Sequence, residues 1–168
     1  MWSKLTFGKH DGKTLPQVIL TDPDWFFWAI EKRVFDNWPA LRVEANDILQ
    51  KARRIKIPKP DPENWEIEYI MQPDRKFSCF QVVDATRPSH VGSSITARDT
   101  HLDLSFVRRG NAYDKTGNTL MLRSFKYYFF GKREARLTKE RCETFFSDPK
   151  NFVDQPGSRR HPRRKKYG

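Results

Sequence analysis

The spacing of apolar residues changes near residue 60, and this change predicts two kinds of structure. Before that point apolar residues recur at the spacing of a helix, and after it they alternate with polar residues as they do in strands. We therefore predict an α+β fold. It has an N-terminal strand and turn with two helices, followed by an antiparallel β-sheet of four to five strands with a C-terminal helix.

Local signals place the first helix after a turn that contains two glycines. We expect at least one of Gly8 and Gly12 to take a positive φ, because glycine adopts such angles without steric cost. Asp22 is a typical N-cap residue, and Pro23 suits the first helical position because it needs no N–H partner there. A helix is therefore predicted over residues 25–34.

A second, amphipathic helix is predicted over residues 39–56, because apolar residues recur there at helical spacing. Its last turn carries four cations: Lys51, Arg53, Arg54 and Lys56. These cations complement the negative end of the helix dipole, which is one interpretation of the cluster. The other interpretation is a patch that faces the phosphates of nucleic acid.

The N-terminal pattern also resembles a known protein module. It reads Phe-Gly-Lys-His-x-Gly-Lys-x-Leu over residues 7–15 and Asp-Pro-x-aromatic-x-x-Trp over residues 22–28. This pattern resembles the C-terminal domain of exodeoxyribonuclease X-like proteins and a quorum-sensing-regulated virulence factor family. The resemblance covers about the first fifth of the chain. It implies an accessory module of DNA-processing proteins from a bacterium or phage, without the catalytic exonuclease domain.

Three prolines at alternate positions in residues 58–62 predict a stiff connector and a domain boundary. We divide the chain into four parts: the exonuclease X-like helical module (1–57), a proline-rich linker (58–64), the sheet domain with its C-terminal helix (65–153) and a basic tail (154–168). The tail contains little that could be buried, so we expect it to be disordered when unbound.

Within the sheet domain, alternation predicts strands over 65–71, 77–83, 102–106 and 119–130. A turn is expected at 114–118, and a bulge near Arg123 and Ser124, where the apolar phase shifts. Residues 84–100 are predicted to be a loop. The last helix is predicted to begin after Thr138 as its N-cap and to continue through residue 146.

The charge favours a polyanionic partner. The formal net charge is +11, and six of the cations lie in the tail: Arg159, Arg160, Arg163, Arg164, Lys165 and Lys166. Because nucleic acid is the commonest partner of such a basic chain, we expect nucleic-acid binding, with DNA favoured over RNA by the resemblance.

Further binding candidates lie in the N-terminal module: Lys9, His10, Lys13, Trp25, Lys32 and Arg33. The glycine turn could present its cations and backbone amides to a phosphate, and aromatic rings beside cations suit single-stranded nucleic acid. The alternative interpretation of the turn is a hairpin with solvated lysines. Trp28 is predicted to lie in the core.

An enzyme interpretation depends on His101 and Asp103, which would share one face of a strand. With Asp84 or Asp99 they could hold Mg²⁺ or Mn²⁺ in a metal-dependent nuclease. The chain lacks a recognisable nuclease, phosphate-loop or nucleophile motif, so we predict no catalytic residues, no metal and no cofactor, and keep the nuclease as the alternative.

The remaining features of the sequence predict the cellular compartment of the protein and its possible partners. Cys79 and Cys142 show no zinc-ligand spacing and fit structural thiols in a reducing compartment. No apolar run reaches the length of a membrane span, so we expect a cytoplasmic protein without a membrane partner. A protein-interaction adaptor that uses Trp25 and Trp38 is a third functional class.

Overall fold

A computed structural model describes residues 1–109 and 113–154. Within those ranges the chain is α+β, with one antiparallel sheet of three strands. Its elements are α1 (Leu15–Ile19), α2 (Pro23–Glu31), α3 (Pro39–Ala52), β1 (Trp65–Met71), β2 (Phe77–Asp84), β3 (Ile95–Asp99), α4 (Lys115–Phe130) and α5 (Lys139–Ser147), with short 3₁₀ helices at Pro62–Asn64, Leu104–Arg109 and Pro149–Asn151. No helix in the described ranges is both long and apolar enough to span a bilayer.

The predicted helix starts are confirmed. The Asp22 side chain accepts a hydrogen bond from the Trp25 amide, with Pro23 as the first residue of α2. Thr138 accepts from the Arg141 amide at the start of α5. The second helix ends at Ala52 rather than at residue 56, because the backbone beyond it turns away to pair with other segments.

The glycine turn follows the predicted geometry. Gly8 has a φ of 74° and Gly12 a φ of 87°, so both lie in the left-handed region. The turn is closed by backbone hydrogen bonds from the Leu5 amide to the Lys13 carbonyl (2.9 Å) and from the Gly12 amide to the Leu5 carbonyl (2.8 Å). The glycines therefore allow the chain to reverse before α1.

Replacing Gly8 or Gly12 by valine is expected to lower the free energy of unfolding by about 1–2 kcal/mol. A Cβ atom at either position would meet no heavy atom within 4 Å, so the loss comes from backbone conformation and not from a clash. Chemical denaturation of each variant measures this loss. Gly8→Asn is the matched control, because asparagine tolerates the left-handed region, and an equal loss for asparagine and valine would contradict the explanation.

The sheet has the strand order β2–β1–β3, with both outer strands antiparallel to β1. Tyr69 of β1 is buried and stacks on Phe106 with ring centroids 3.8 Å apart. Helix α4 covers β2, where Phe80 packs on Tyr128 and the Phe80 amide donates to the Ser124 hydroxyl (3.3 Å).

The prediction of four to five strands is wrong. The third strand, β3, lies within residues 84–100, which we predicted to be a loop. Residues predicted as a strand at 102–106 instead form a single bridge at Leu102 and then a 3₁₀ helix. All five residues of β3 pair with β1, and Arg98 of β3 also binds Glu68 of β1 (3.1 Å).

The predicted strand at 119–130 is also wrong, as are the turn at 114–118 and the bulge near Arg123, because all of them lie in or at the start of α4. The side chain of Asp114 caps this helix by accepting from the Gly117 amide (2.8 Å), and Gly131 ends it with a φ of 91°. Buried Met121 and Phe125 are four residues apart, as the inner face of a helix requires.

Segments on both sides of the proline-rich connector contribute to one buried cluster. Ile55 exchanges backbone hydrogen bonds with Leu102 (3.0 and 2.8 Å) and also forms a bridge with Phe152. The division at residues 58–64 stays a prediction about folding units. The basic tail from residue 155 onward, with its six cations, lies outside the described residues.

Candidate nucleic-acid interface

Several cations predicted to bind nucleic acid instead make contacts within the protein. Lys51 donates to the Phe146 carbonyl (2.8 Å) and also pairs with Asp47 (3.0 Å). Arg54 donates to the carbonyl of Val153. Two members of the cation cluster at the end of α3 therefore bind backbone carbonyls of the C-terminal segment. Neither interpretation of the cluster predicted this contact.

The cations of the glycine turn and of α2 are distributed differently. Lys9 pairs with Asp22 (2.9 Å), and Arg33 pairs with Asp36 at the surface (2.8 Å). Lys13 is half-buried, while Lys32 is exposed. Of the two lysines in the turn, Lys9 therefore contacts a carboxylate of the protein, that of Asp22. Lys32, at the end of α2, faces the solvent.

Asp22 lies at the centre of a polar network that the sequence did not reveal. Besides capping α2, its carboxylate accepts from the Asn118 amide group (2.6 Å) and the Tyr113 hydroxyl (3.0 Å), and it lies 3.2 Å from His10 Nε2. Burial tends to raise the pKa of Asp22, but the hydrogen bonds from Lys9 and from the Trp25 amide outweigh it and hold the pKa below its ordinary value. The network joins the glycine turn to α2 and α4.

His10 is a buried member of this network, with 7% of its surface exposed. Burial lowers its pKa from the ordinary 6.5, although the contact with Asp22 acts in the opposite direction. A neutral His10 with its proton on Nε2 can donate to the Asp22 carboxylate. In this structure His10 therefore has a structural contact inside the protein, and its predicted role in binding stays a prediction.

The free energy of unfolding is expected to fall as the pH is lowered from about 7 to about 5. The unfolded chain gains a proton on His10 near pH 6.5, whereas the folded protein resists protonation until a lower pH because the folded pKa is depressed. Denaturation at both pH values measures the difference. His10→Gln should reduce this pH dependence, and the exposed His90→Gln should retain it; a reduction with His90→Gln alone would contradict the assignment.

A second buried carboxylate lies two residues further along α2. The Asp24 side chain has no exposed surface, and it accepts from Arg108 Nη1 (2.7 Å) and from the Asp114 amide (2.9 Å). Its own amide donates to the side-chain oxygen of Asn118 (2.9 Å). Asp24 thus connects the 3₁₀ helix that contains Arg108 to the start of α4.

The N-terminal aromatic residues divide between the interior and the surface. Trp25 is half-buried and its ring contacts His10. Trp28, predicted to lie in the core, has 37% of its surface exposed, because the helix turns its opposite face towards the core. Trp38, with 38% exposed, stacks on Phe7 with ring centroids 4.3 Å apart.

The four candidate metal ligands do not converge on one point. Asp84 and Asp99 lie on β2 and β3, the two outer strands on opposite sides of β1. His101 Nδ1 lies 3.7 Å from Asp99 Oδ1, whereas Asp103 accepts hydrogen bonds from the amide and hydroxyl of Ser105. Residues 1–109 and 113–154 contain no group of three or more side chains placed to hold a metal ion.

A groove that the sequence did not predict runs between the end of α4 and α5. Two adjoining pockets, of about 580 Å³ and about 510 Å³, form it and share Phe130, Thr138 and Arg141. The first pocket continues along Phe129 and Phe145 as far as Pro58 and Asn151, and the second continues to Lys132 and Arg136. We call this surface the α4–α5 groove.

Cations surround the α4–α5 groove. Residues 130–141 contain five of them, Lys132, Arg133, Arg136, Lys139 and Arg141, against two acids, Glu134 and Glu140. In the part of the chain that the structure describes, none of these five cations forms an ion pair with a carboxylate. Their charge therefore remains directed towards the solvent.

Aromatic rings accompany these cations. The guanidinium of Arg133 lies 5.5 Å from the ring centre of Tyr127, and that of Arg141 lies 5.3 Å from the ring centre of Phe130. Tyr127 is exposed, and Phe129 and Phe130 are half-buried. A signal for this surface was present in the sequence as basic residues directly after an aromatic run, but the prediction of a strand placed those rings in the core.

The described chain ends beside one end of the α4–α5 groove. The Val153 amide donates to the Arg54 carbonyl (2.9 Å), and the Lys56 amide donates to the carbonyl of Asn151, which lines the groove (2.8 Å). The sequence that follows residue 154 contains the six cations of the tail. The last described residues therefore lie close to the groove.

The resemblance of residues 7–28 to the exodeoxyribonuclease X-like C-terminal domain stays a prediction. We therefore infer the function of this chain from the geometry and charge described above. Comparison of the chain with protein-family models, with curated proteins and with solved structures gave no match.

Proposed function

We propose that this chain is a non-catalytic nucleic-acid-binding accessory protein that holds a single strand, DNA in preference to RNA, in the α4–α5 groove. The observation that carries the proposal is one groove in which cations without a carboxylate partner in the described residues lie with half-buried aromatic rings. The cations are Lys132, Arg136 and Arg141, and the rings are those of Phe129 and Phe130; Arg133 and Tyr127 adjoin them in the sequence. Proteins that bind single strands combine these two features.

The charge supports the first half of the proposal. Some cations elsewhere in the described chain, among them Lys9, Arg98 and Arg108, lie against carboxylates. The groove cations lack such partners, so a phosphate backbone could neutralise them. Each phosphate neutralised releases bound counterions from the strand, which makes affinity depend on salt.

The aromatic residues support the second half. A base stacked on an aromatic side chain contributes about 1–3 kcal/mol, largely without regard to sequence. Tyr127 and Phe130 are the rings that lie nearest to the guanidinium groups of Arg133 and Arg141. A strand that follows the groove could therefore place bases on rings and phosphates on cations.

The end of α3 and the tail extend this surface. Lys56 is half-buried next to the groove end, and the tail continues from residue 154 beside Arg54. Lys51 and Arg54 instead support the C-terminal segment by binding the carbonyls of Phe146 and Val153. The proposal therefore assigns binding to the groove, Lys56 and the tail.

Deleting residues 157–168 is expected to weaken binding to a fluorescent oligothymidylate about tenfold at about 0.1 M salt. The deletion removes six cations. The estimate takes the tail to be disordered when unbound, as the sequence predicts, so that the cost of ordering it offsets part of the gain from its charge. Fluorescence anisotropy measures the affinity. The melting temperature should stay nearly constant, because Tyr167 is the only large apolar residue removed.

Two results would count against this assignment of the tail. Unchanged affinity would exclude the tail from binding, and a large fall in melting temperature would mean that the tail packs against the folded protein. A tail in which the six cations are replaced by glutamine provides the matched control, because it keeps the chain length and removes the charge.

A further inference from the structure

A separate pocket of about 310 Å³ lies between α2, the end of α3 and the 3₁₀ helix Leu104–Arg109. Three arginines line it, one from α3's end and two from the 3₁₀ helix: Arg53, Arg108 and Arg109. None of its lining residues belongs to the α4–α5 groove. We call it the arginine pocket.

Arg108 is held in a fixed orientation at this pocket. Its Nη1 donates to buried Asp24 (2.7 Å), and its Nη2 donates to Glu31 (2.7 Å). The hydrogen bond to Glu31, and to a smaller extent the one to Asp24, raises the pKa of Arg108 above its ordinary value, although burial acts in the opposite direction. A guanidinium fixed by two carboxylates is preorganised and loses little freedom when a ligand arrives.

The other two arginines are exposed and carry no carboxylate partner in the described parts of the chain. Arg109 lies over the ring of Phe106, 4.3 Å from its centre. Two acids also line the pocket, but Glu31 binds Arg108, and Asp103 accepts from Ser105. Arg108 is bound by two carboxylates, one of them Asp24 outside the pocket lining, so three carboxylates stand against the three guanidiniums. The guanidiniums that remain open to a ligand are those of Arg53 and Arg109.

The remaining lining of the pocket is apolar. Phe27 and Ile30 of α2 and Leu49 of α3 contribute to it, and all three belong to or pack against the core. Pockets that bind small molecules combine such an apolar lining with a few fixed polar groups. The volume lies at the lower end of the range of small-molecule sites, about 300–1,000 Å³.

We propose that the arginine pocket binds an organic monocarboxylate whose apolar body lies against Phe27, Ile30 and Leu49. The three carboxylates at the pocket offset most of the arginine charge, so a ligand with one negative charge suits it better than a phosphate monoester, which would bring close to two. The guanidinium fork of Arg53 or Arg109 matches the two oxygens of a carboxylate. This inference goes beyond the nucleic-acid function, because it concerns a different surface and a different ligand.

Hexanoate is the probe that tests the proposal, with its dissociation constant measured by NMR titration of the full chain. We expect saturable binding that shifts the amide signals of Leu49 and Ser105 and leaves those of Thr138 and Arg141 unchanged. Arg53→Gln should weaken the binding about tenfold, the effect of losing one charge-assisted hydrogen bond. Arg42→Gln, an exposed arginine on the same helix outside the pocket, is the matched control and should bind as the parent does.

Comparison ligands test the chemistry. Acetate lacks the apolar body, hexylamine has the opposite charge, and inorganic phosphate lacks the apolar body and carries more charge. All three should bind more weakly than hexanoate. Equal binding of acetate or phosphate, no saturation by hexanoate, or an equal loss with Arg42→Gln would overturn the proposal.

A carboxylate of this kind can come from a free organic acid or from the C-terminus of a peptide. A tripeptide that ends in leucine, compared in its free-acid and amidated forms, separates these sources. Tighter binding of the free-acid peptide than of hexanoate would identify a peptide C-terminus as the ligand, and weaker binding would identify a free acid. Failure of every carboxylate would overturn the proposal but leave the α4–α5 groove unaffected.

Discussion

Replacing Asp24 by alanine should lower the free energy of unfolding by about 3 kcal/mol, the lower end of the range for breaking a buried ion pair. The change removes the carboxylate that receives Arg108 Nη1 and the Asp114 amide, and it leaves both donors without that partner. For a chain of this length, the loss corresponds to a fall in melting temperature of roughly 6–12 °C. Chemical and thermal denaturation measure both quantities.

Asp36→Ala is the matched control for this prediction. It breaks a surface ion pair with Arg33, whose side chain is 81% exposed, so a loss below about 1 kcal/mol is expected. Asp24→Asn keeps the shape of the side chain and removes its charge. Its loss of unfolding free energy should lie between those of Asp36→Ala and Asp24→Ala. Equal stability of the Asp24→Ala and Asp36→Ala proteins would show that the buried Asp24 carboxylate does not hold α2, the 3₁₀ helix of Arg108 and the start of α4 together.

Replacing Lys132, Arg133 and Arg136 together by glutamine should weaken binding to single-stranded DNA about 100-fold at about 0.1 M salt. The estimate assumes that each cation contacts one phosphate. Each such contact contributes about −0.7 to the slope of log affinity against log salt. All three side chains are exposed in the segment between α4 and α5, so folding should be preserved. Fluorescence anisotropy over a salt series measures the affinity and the slope.

The control for the groove variant removes the same amount of charge from elsewhere. Arg42, Lys76 and Arg87 are exposed and lie outside the α4–α5 groove, and their joint replacement by glutamine should weaken binding far less. An equal loss in the two triple variants would mean that net charge, and not the groove, determines affinity.

The features that were predicted correctly depend on neighbouring residues in the sequence. Asp22 and Thr138 begin helices because their side chains bind amides three residues later. Gly8 and Gly12 take positive φ angles because the turn between them must close on itself. Such local interactions are encoded within a few residues, so they can be read from a single sequence.

The errors concern features that depend on distant residues. Helix α4 is rich in aromatic residues, which favour strands, but contacts with β2 and capping by Asp114 and Gly131 make it a helix. Strand β3 is short and polar, and it pairs with β1, about 30 residues earlier in the chain, where Arg98 also binds Glu68. Tertiary contacts override local preference in both segments.

The candidate site was missed for the same reason. Its rings were assigned to a strand, so the basic residues that follow them were not considered together with them. Lys51 and His10, both predicted to bind nucleic acid, have partners within the protein, the Phe146 carbonyl and Asp22 respectively. Their roles in binding stay predictions. Charge composition predicted the class of partner, whereas only the fold identifies which cations remain free of carboxylate partners.

The affinity of the unmodified chain for single-stranded DNA over a salt series, in the absence of divalent metal, tests the central claim most directly. We predict that log affinity falls linearly with log salt between about 50 and 200 mM, with a slope of about −2 or steeper, because at least the three groove cations should each contact a phosphate. A single strand should bind more tightly than the duplex of the same sequence, since stacking on the groove aromatics requires unpaired bases. No binding at about 50 mM salt, or an affinity that does not change with salt, would contradict the proposed function.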